Sequence, residues 1–427
     1  MKNMEKAARP ANLPFRLRVL TLGSGLFLLA FWTAAAAEIT VPRLEMAARG
    51  GMRDDSFVFS TMISADLALS GGYKYAFLLG FSLEAGDIAK AFAYRNFRYE
   101  PLLPIENGTP VTADDYNALA DRANAQADRL NNQASLGFRV AKATARELFG
   151  LPLELSFFLG EDDDFCAGDE FGERFGLSPI TTDFRGFYYF PDGIGGIPGR
   201  RYKGIYGVRG AGFSFSITKW EKFIPELYFY KDFAYPALLG GKDLYSGDLR
   251  LSFHHNMLAL EAFGGFSVDT GRDFSVRGGL MIHLAGNGVE FFAQGGVPGW
   301  TAGEKFSIDN IFFLIEPRLH FRILSVYLTF FYHPLVYIHI VSPEERGKAD
   351  INIKFRFGKK DSALYGGFET RGELRTSGEE SFMFHLSPFM SIISGGLCWD
   401  AKISFTPQNY KTPGEMFGFF IGVRTAL

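Results

Sequence analysis

The stretch INIKFRF, residues 351–357, alternates apolar and polar side chains along the chain. The two faces are Ile351, Ile353, Phe355 and Phe357 on one side, and Asn352, Lys354 and Arg356 on the other. Because successive side chains of a strand point to opposite sides of a sheet, this period of two predicts a β-strand with one apolar face. The same alternation recurs at residues 73–84, 274–285 and 417–427. We therefore expect an all-β protein.

The first 37 residues have the features of a secretory signal peptide. Basic residues precede an apolar run of 14 residues from Val19 to Trp32, and alanines follow up to Ala37. That run is shorter than the roughly 20 residues that a membrane-spanning helix needs. We therefore expect residues 1–37 to be a signal peptide, cleaved after Ala37, and residues 38–427 to form the exported domain.

The composition favours strands that cross a membrane. Phe (46 residues) and Tyr (18) are abundant, with 49 Gly, yet the mean hydropathy is only +0.02. Strands that alternate lipid-facing with water-facing residues average to such a value. We predict a transmembrane antiparallel β-barrel of about 14 to 18 strands, with long loops at 85–134 and 161–204 and one short helix at 112–133. A soluble β-sandwich or solenoid is the alternative, but it would need polar outer faces.

The final segment, FGFFIGVRTAL at residues 417–427, resembles the closing strand of bacterial outer-membrane β-barrel proteins. In that group the strand ends in an aromatic residue that the outer-membrane assembly machinery recognises, whereas this chain ends in Leu427. The Phe-rich and Gly-rich composition also resembles spirochaetal outer-membrane proteins. The resemblance implies localisation in the bacterial outer membrane, contact with membrane lipid, and assembly through the C-terminal strand.

Alternation places a series of basic residues on the inward face of the C-terminal two-thirds of the chain. They are Arg250, Arg277, Arg318, Arg322, Lys354, Arg356, Arg371, Arg375, Lys402 and Arg424. Fewer acidic residues fall on this face: Glu261, Glu316, Glu369, Glu373 and Asp400. Charged side chains that face lipid cost several kcal/mol, so these residues are expected to line a wet lumen. Two interpretations remain open, a neutralised ladder that stiffens the barrel and a net positive wall that selects anions.

The loop at 161–204 begins with acidic residues, among them Asp162, Asp163, Asp164, Asp169 and Glu170. The position of this loop resembles that of the third loop of general porins. In general porins that loop folds into the lumen and forms an acidic edge opposite a basic wall. The resemblance implies a constriction loop here. The alternative is an acidic loop exposed to solvent.

These patterns favour a porin-like diffusion channel for small hydrophilic solutes, with anions among them. A plugged transporter of hydrophobic ligands and a surface receptor or adhesin are the alternatives. No catalytic motif, metal-ligand spacing or cofactor motif is recognisable, so we expect neither an enzyme nor a metalloprotein. The net charge of -3 argues against nucleic acid as a partner. Cys166 and Cys398 are expected to be unpaired.

Overall fold

The computed structural model describes residues 37–53, 56–93, 122–123, 125–126, 133–186, 193–194, 204–218, 220–233, 243–271, 274–333, 348–359, 362–375 and 382–425. Within these ranges the chain forms 18 strands: β1 Ala37–Arg53, β2 Ser56–Gly71, β3 Tyr75–Ala85, β4 Ser135–Ala145, β5 Leu153–Phe165, β6 Tyr206–Ile217, β7 Phe223–Asp232, β8 Leu244–His255, β9 Leu258–Asp269, β10 Phe274–Ala285, β11 Val289–Thr301, β12 Phe312–His320, β13 Leu324–His333, β14 Lys348–Phe357, β15 Leu364–Arg375, β16 Phe382–Ser394, β17 Leu397–Phe405 and β18 Phe417–Thr425.

Short helices lie between strands in the described part of the chain, among them the α-helices α1 at Ile88–Ala93 and α2 at Phe171–Phe175. None of the helices described is long and apolar enough to span a bilayer. The predicted helix at 112–133 and signal peptide at 1–37 fall largely outside the described residues. Of the former, residues 122, 123, 125 and 126 are helical, and of the latter, Ala37 begins β1.

The strands form one closed antiparallel sheet. Each strand pairs with its neighbours in sequence, and β1 pairs with both β2 and β18. Closure leaves no strand edge with unpaired backbone groups, which is the condition for strands to cross a membrane. The predicted β-barrel is therefore confirmed, with a strand number at the upper end of the expected range.

The connections differ sharply between the two ends of the barrel. Gly395 and Gly396 alone join β16 to β17, and their φ angles of 61° and 76° suit the tight hairpin turns that require positive φ at both central residues. We call this the turn end. The connections at the opposite, loop end are longer, as between β3 and β4 and between β5 and β6. In outer-membrane barrels the short turns face the periplasm and the long loops face outward.

Alternation along the strands separates an apolar outer surface from a polar interior. Phe355, Phe368 and Ile421 are exposed on the outside. Arg250 and Glu316 on the inside are fully buried. An apolar exterior and a polar interior are what a barrel needs in a bilayer.

The register of β14 can be tested with single cysteines at adjacent positions. Arg356 faces the lumen, where its guanidinium stacks on the ring of Tyr365 3.8 Å away, whereas Phe355 is exposed on the outer surface. We expect Arg356→Cys to react with water-soluble maleimides and Phe355→Cys only with lipid-soluble reagents. The native cysteines are buried, so the unmodified protein serves as the background control. The opposite pattern would place the strand one residue out of register.

Candidate functional site

The basic residues predicted for the inner wall lie at different places in the barrel. Arg250, Arg277, Arg318 and Lys354 are buried inside it, and Arg356 and Arg371 are partly buried on the same face. Arg375 is the last residue of β15, and its side chain lies outside the described part.

Arg322 does not lie on this wall. It is exposed in the turn between β12 and β13, because β12 ends at His320, two residues earlier than the alternation suggested.

Carboxylates on the same inner face offset the basic side chains. Asp248 accepts a 2.7 Å hydrogen bond from Arg277 Nε, and Asp350 lies 3.3 Å from Arg371. The net positive charge of the inner wall is therefore much smaller than the sequence predicts. Alternation could have found both acids, since Asp248 lies two residues before Arg250, and Asp350 lies four residues before Lys354.

The chain between β5 and β6 folds into the lumen. We call residues 166–186 and 193–194 the inserted segment. Asp162, Asp163 and Asp164 precede it, because β5 continues to Phe165. Two residues of the wall fix the bend that the chain makes after β5. Cys166 has a φ of 58° and donates its backbone N–H to Glu261 Oε1 at 2.5 Å. The carbonyl oxygen of Cys166 accepts a 2.5 Å hydrogen bond from Gln294 Nε2.

A buried charge cluster holds the first part of the inserted segment. Arg174 contacts Glu170 and Glu226, each at 2.6 Å. Arg250 contacts Asp163 at 2.7 Å and Glu170 at 2.9 Å. These pairs join α2 to strands β5, β7 and β8, so the predicted acidic residues act here as anchors.

Apolar packing fills the lumen beside this cluster. Phe171 and Ile180 of the inserted segment pack with the inward-facing Phe263, Phe292 and Phe312 of β9, β11 and β12. All five are buried. Burial of apolar surface at roughly 25 cal/mol per Å² makes this contact a main source of the segment's attachment.

Glu316 on β12 holds the tip of the inserted segment. Its carboxylate accepts hydrogen bonds from Thr182 Oγ1 at 2.5 Å and from the backbone N–H of Asp183 at 2.8 Å. Arg318 binds both Glu316, 2.7 Å away, and the carbonyl oxygen of Thr181, 2.5 Å away. This fully buried carboxylate, which also accepts a hydrogen bond from Thr329 of β13, is thus satisfied by the wall and the segment together.

Two further contacts tie the segment to the far wall. Lys354 of β14 pairs with Asp183 at 2.8 Å. Lys402 of β17 donates to the carbonyl oxygen of Ile194 at 2.5 Å and pairs with Glu369 at 3.1 Å. The inserted segment therefore crosses the barrel from β5 to β17.

The pKa values of two ionisable groups in the segment are shifted by their surroundings. Burial raises the pKa of Glu170, and the neighbouring Asp163 carboxylate raises it further. Burial alone would raise the pKa of Asp183, but the Lys354 ammonium outweighs it and holds the pKa below its usual value. Asp183 therefore keeps its charge, and its contact with Lys354, in mild acid.

Cavities remain on both sides of the inserted segment. The outer cavity, about 380 Å³, lies toward the loop end and includes Phe184 and Ile194 in its lining. The inner cavity, about 530 Å³, lies toward the turn end and includes Asp183 and Arg185. A side cavity of about 1100 Å³ lies along β1 to β7 and includes Asp66 and Lys142. The inserted segment thus separates the outer from the inner cavity.

Closure, an apolar exterior and a charged interior together define the architecture. The described part of the chain is a β-barrel of the transmembrane type. Its interior combines polar cavities with a segment that narrows the space between them.

Comparisons with solved structures find chains that match over most of their length at low sequence identity. OccAB3 of Acinetobacter baumannii matches over 92% of this chain and 99% of its own, with 10% identity and a TM-score of 0.48. The outer-membrane protein OpdK of Pseudomonas aeruginosa matches over 92% and 99%, with 9% identity and a TM-score of 0.44. A triple mutant of the Rhodopseudomonas blastica porin matches over 91% and 99%, with 9% identity and a TM-score of 0.42. These similarities supply no residue roles.

No protein-family model matches the sequence, and no curated protein is significantly similar to it.

Proposed function

We propose that the protein is a diffusion channel for small hydrophilic solutes, with a preference for anions, rather than an enzyme. The observation that carries the proposal is the stacking of the outer and inner cavities on either side of the inserted segment. A barrel of this strand number is wide enough for an aqueous lumen. The inserted segment is the constriction in this proposal, and residues 1–37 direct export as a signal peptide.

The anion preference follows from the side chains around the two stacked cavities. The inner cavity is lined by four arginines and three carboxylates: Arg185, Arg318, Arg356, Arg424, Glu45, Asp183 and Glu290. The outer cavity is lined by three basic and two acidic residues: Arg49, Arg371, Lys402, Glu369 and Glu373. A small positive excess in a narrow lumen lowers the energy of an entering anion relative to a cation.

The plugged transporter remains a second candidate because of one observation. The apolar cluster around Phe171 and Phe292 fills the lumen between the inserted segment and β9 to β12. In that case the segment would have to move before any solute passed.

Reconstitution in planar bilayers tests the proposal. We expect stepwise conductance and, in a KCl gradient, a reversal potential that shows anion preference and weakens as salt rises. Replacing Arg356 with Ser should reduce the ratio of anion to cation permeability roughly fourfold, since one charge about 8 Å away in water changes the occupancy of anions and of cations about twofold each, in opposite directions. The matched control is Arg322→Ser, because Arg322 is exposed in a turn.

Absence of conductance would instead favour the plugged transporter, and cation preference would contradict the proposed role of the basic residues. An equal effect of both arginine variants would show that the lining of the inner cavity does not determine selectivity.

A further inference from the structure

Two histidines flank one carboxylate at the turn end of the lumen. His283 of β10 places Nε2 3.7 Å from Glu290 Oε2, and His320 of β12 places Nε2 3.4 Å from Glu290 Oε1. The three side chains are only 9–14% exposed. Glu290 and His320 line the inner cavity, so any charge gained here acts on ions inside it.

The surroundings orient the histidines toward Glu290. Ser325 Oγ lies 3.0 Å from His320 Nδ1, which directs Nε2 to the carboxylate. The ring of His320 also packs edge-on against Tyr327, with 5.7 Å between centroids. The ring of His283 packs on Phe292, with 6.4 Å between centroids. Each imidazole is therefore fixed by a neighbour other than the carboxylate.

The other charged groups facing this site do not cancel one another. Arg318 Nη1 lies 3.3 Å from Glu290, and the same guanidinium pairs with Glu316, which also accepts hydrogen bonds from Thr182 and from Asp183 N–H. With neutral histidines, these two carboxylates and one guanidinium carry a net negative charge. Protonation of both histidines would add two positive charges and reverse its sign beside the inner cavity.

The proton is the ion that suits this arrangement. In the described ranges no group of three or more His, Cys, Asp or Glu is arranged to hold a metal, whereas each imidazole can bind a proton at a ring nitrogen. Histidine ordinarily changes charge between about pH 5 and pH 8, and a carboxylate at 3.4 to 3.7 Å can accept a charge-assisted hydrogen bond from each imidazolium after a small shift.

We propose that His283 and His320 form a proton-binding site that increases the anion preference of the channel as the pH falls. The inference rests on the proposed channel function and adds a regulation of its inner cavity. Each imidazole binds one proton at a ring nitrogen, and no other bond changes. Because the effect is one of charge, the inserted segment need not move.

Two other groups in the lumen need to be distinguished from this pair. Asp183 stays charged in mild acid, because its pKa lies below the usual value. His385 lies 3.6 Å from Glu373 and lines the outer cavity, so its protonation would add a response of its own. A His385→Asn variant measures that contribution separately.

The test compares the ratio of anion to cation permeability at pH 8 and pH 5 for the full chain in planar bilayers. We expect the ratio to rise on acidification by roughly fourfold for each proton bound about 8 Å from the ion path, because the occupancy of anions rises and that of cations falls about twofold each. The double variant His283→Asn, His320→Asn should lose most of this rise, and each single variant should lose part of it. His255→Asn, at the exposed last residue of β8, should respond like the unmodified protein.

Nitrogen-15 NMR of histidine-labelled protein in micelles measures protonation without relying on conductance. Two imidazole resonances that are missing from the double variant should shift on acidification. If they do not, or if the double variant keeps the full rise in permeability ratio, the inference is wrong. A channel that prefers anions equally at both pH values would also overturn the inference while supporting the channel function. A barrel that does not conduct, although both histidines titrate, would contradict the channel function instead.

Discussion

Replacing residues 181–194 with a short Gly-Ser linker is expected to raise the single-channel conductance by about twofold or more, because an 18-strand barrel is wide enough for an aqueous lumen and the linker removes side chains that lie between the outer and inner cavities. The replaced residues include Thr182, Asp183 and Ile194, which contact the far wall. The charge cluster of Arg174 and the packing of Phe171 stay in place, so the barrel itself should fold. Single-channel recording measures the change directly.

The same linker in the β11–β12 connection, at residues 303–308, is the matched control and should leave conductance unchanged. Glu316→Gln offers a finer variant, since it weakens the acceptor for Thr182 and Asp183 N–H without shortening the chain. We expect it to increase fluctuations between conductance levels. Unchanged conductance after the linker replacement would mean that ions pass elsewhere, for example through the side cavity.

Arg250→Met is expected to lower the free energy of unfolding by about 3–5 kcal/mol, because it leaves buried carboxylates without their cation. Arg250 is fully buried, and it contacts Asp163 at 2.7 Å and Glu261 at 2.8 Å. Methionine is apolar and fits the same kind of space, so the loss reports charge rather than volume. Denaturant unfolding in lipid vesicles measures it.

Arg209→Met is the control for that measurement. Its guanidinium is 47% exposed and lies 3.7 Å from Glu161, and exposed pairs of this kind contribute up to about 1 kcal/mol. Adding Glu261→Gln to Arg250→Met should recover part of the lost stability, because it removes one of the uncompensated charges. Equal losses for Arg250→Met and Arg209→Met would contradict a special role for the buried cluster.

The sequence predicts the barrel well, because alternation acts at every strand. The inward position of Arg250 and Lys354 follows from the alternation of side chains alone, since a shift of one residue would turn charged side chains toward lipid. The ends of strands are harder to predict, because nothing in the alternation marks where pairing stops. For this reason the sequence predicts Arg322 on the inner wall and Asp162 in a loop, and both predictions miss the strand end.

The contacts inside the lumen could not be predicted in the same way. Thr182 and Glu316 are 134 residues apart, and no local pattern links a loop residue to a particular strand. The acidic residues of the loop suggested a charged edge in the lumen. Asp163 and Glu170 instead join buried pairs with Arg250, because isolated charges are too costly inside a packed interior.

The pairing of β1 with β18 also has a consequence for how the barrel assembles. The paired residues Glu45 and Arg424 are about 380 residues apart, and bringing them together costs only about 2.5 kcal/mol more chain entropy than closing a hairpin of about 20 residues. Until that happens, two strand edges carry unpaired backbone groups. Phe419 then packs across the seam against Phe57, with 6.2 Å between ring centroids. The open sheet, rather than any part of the finished barrel, is therefore the species most exposed to misassembly with other chains.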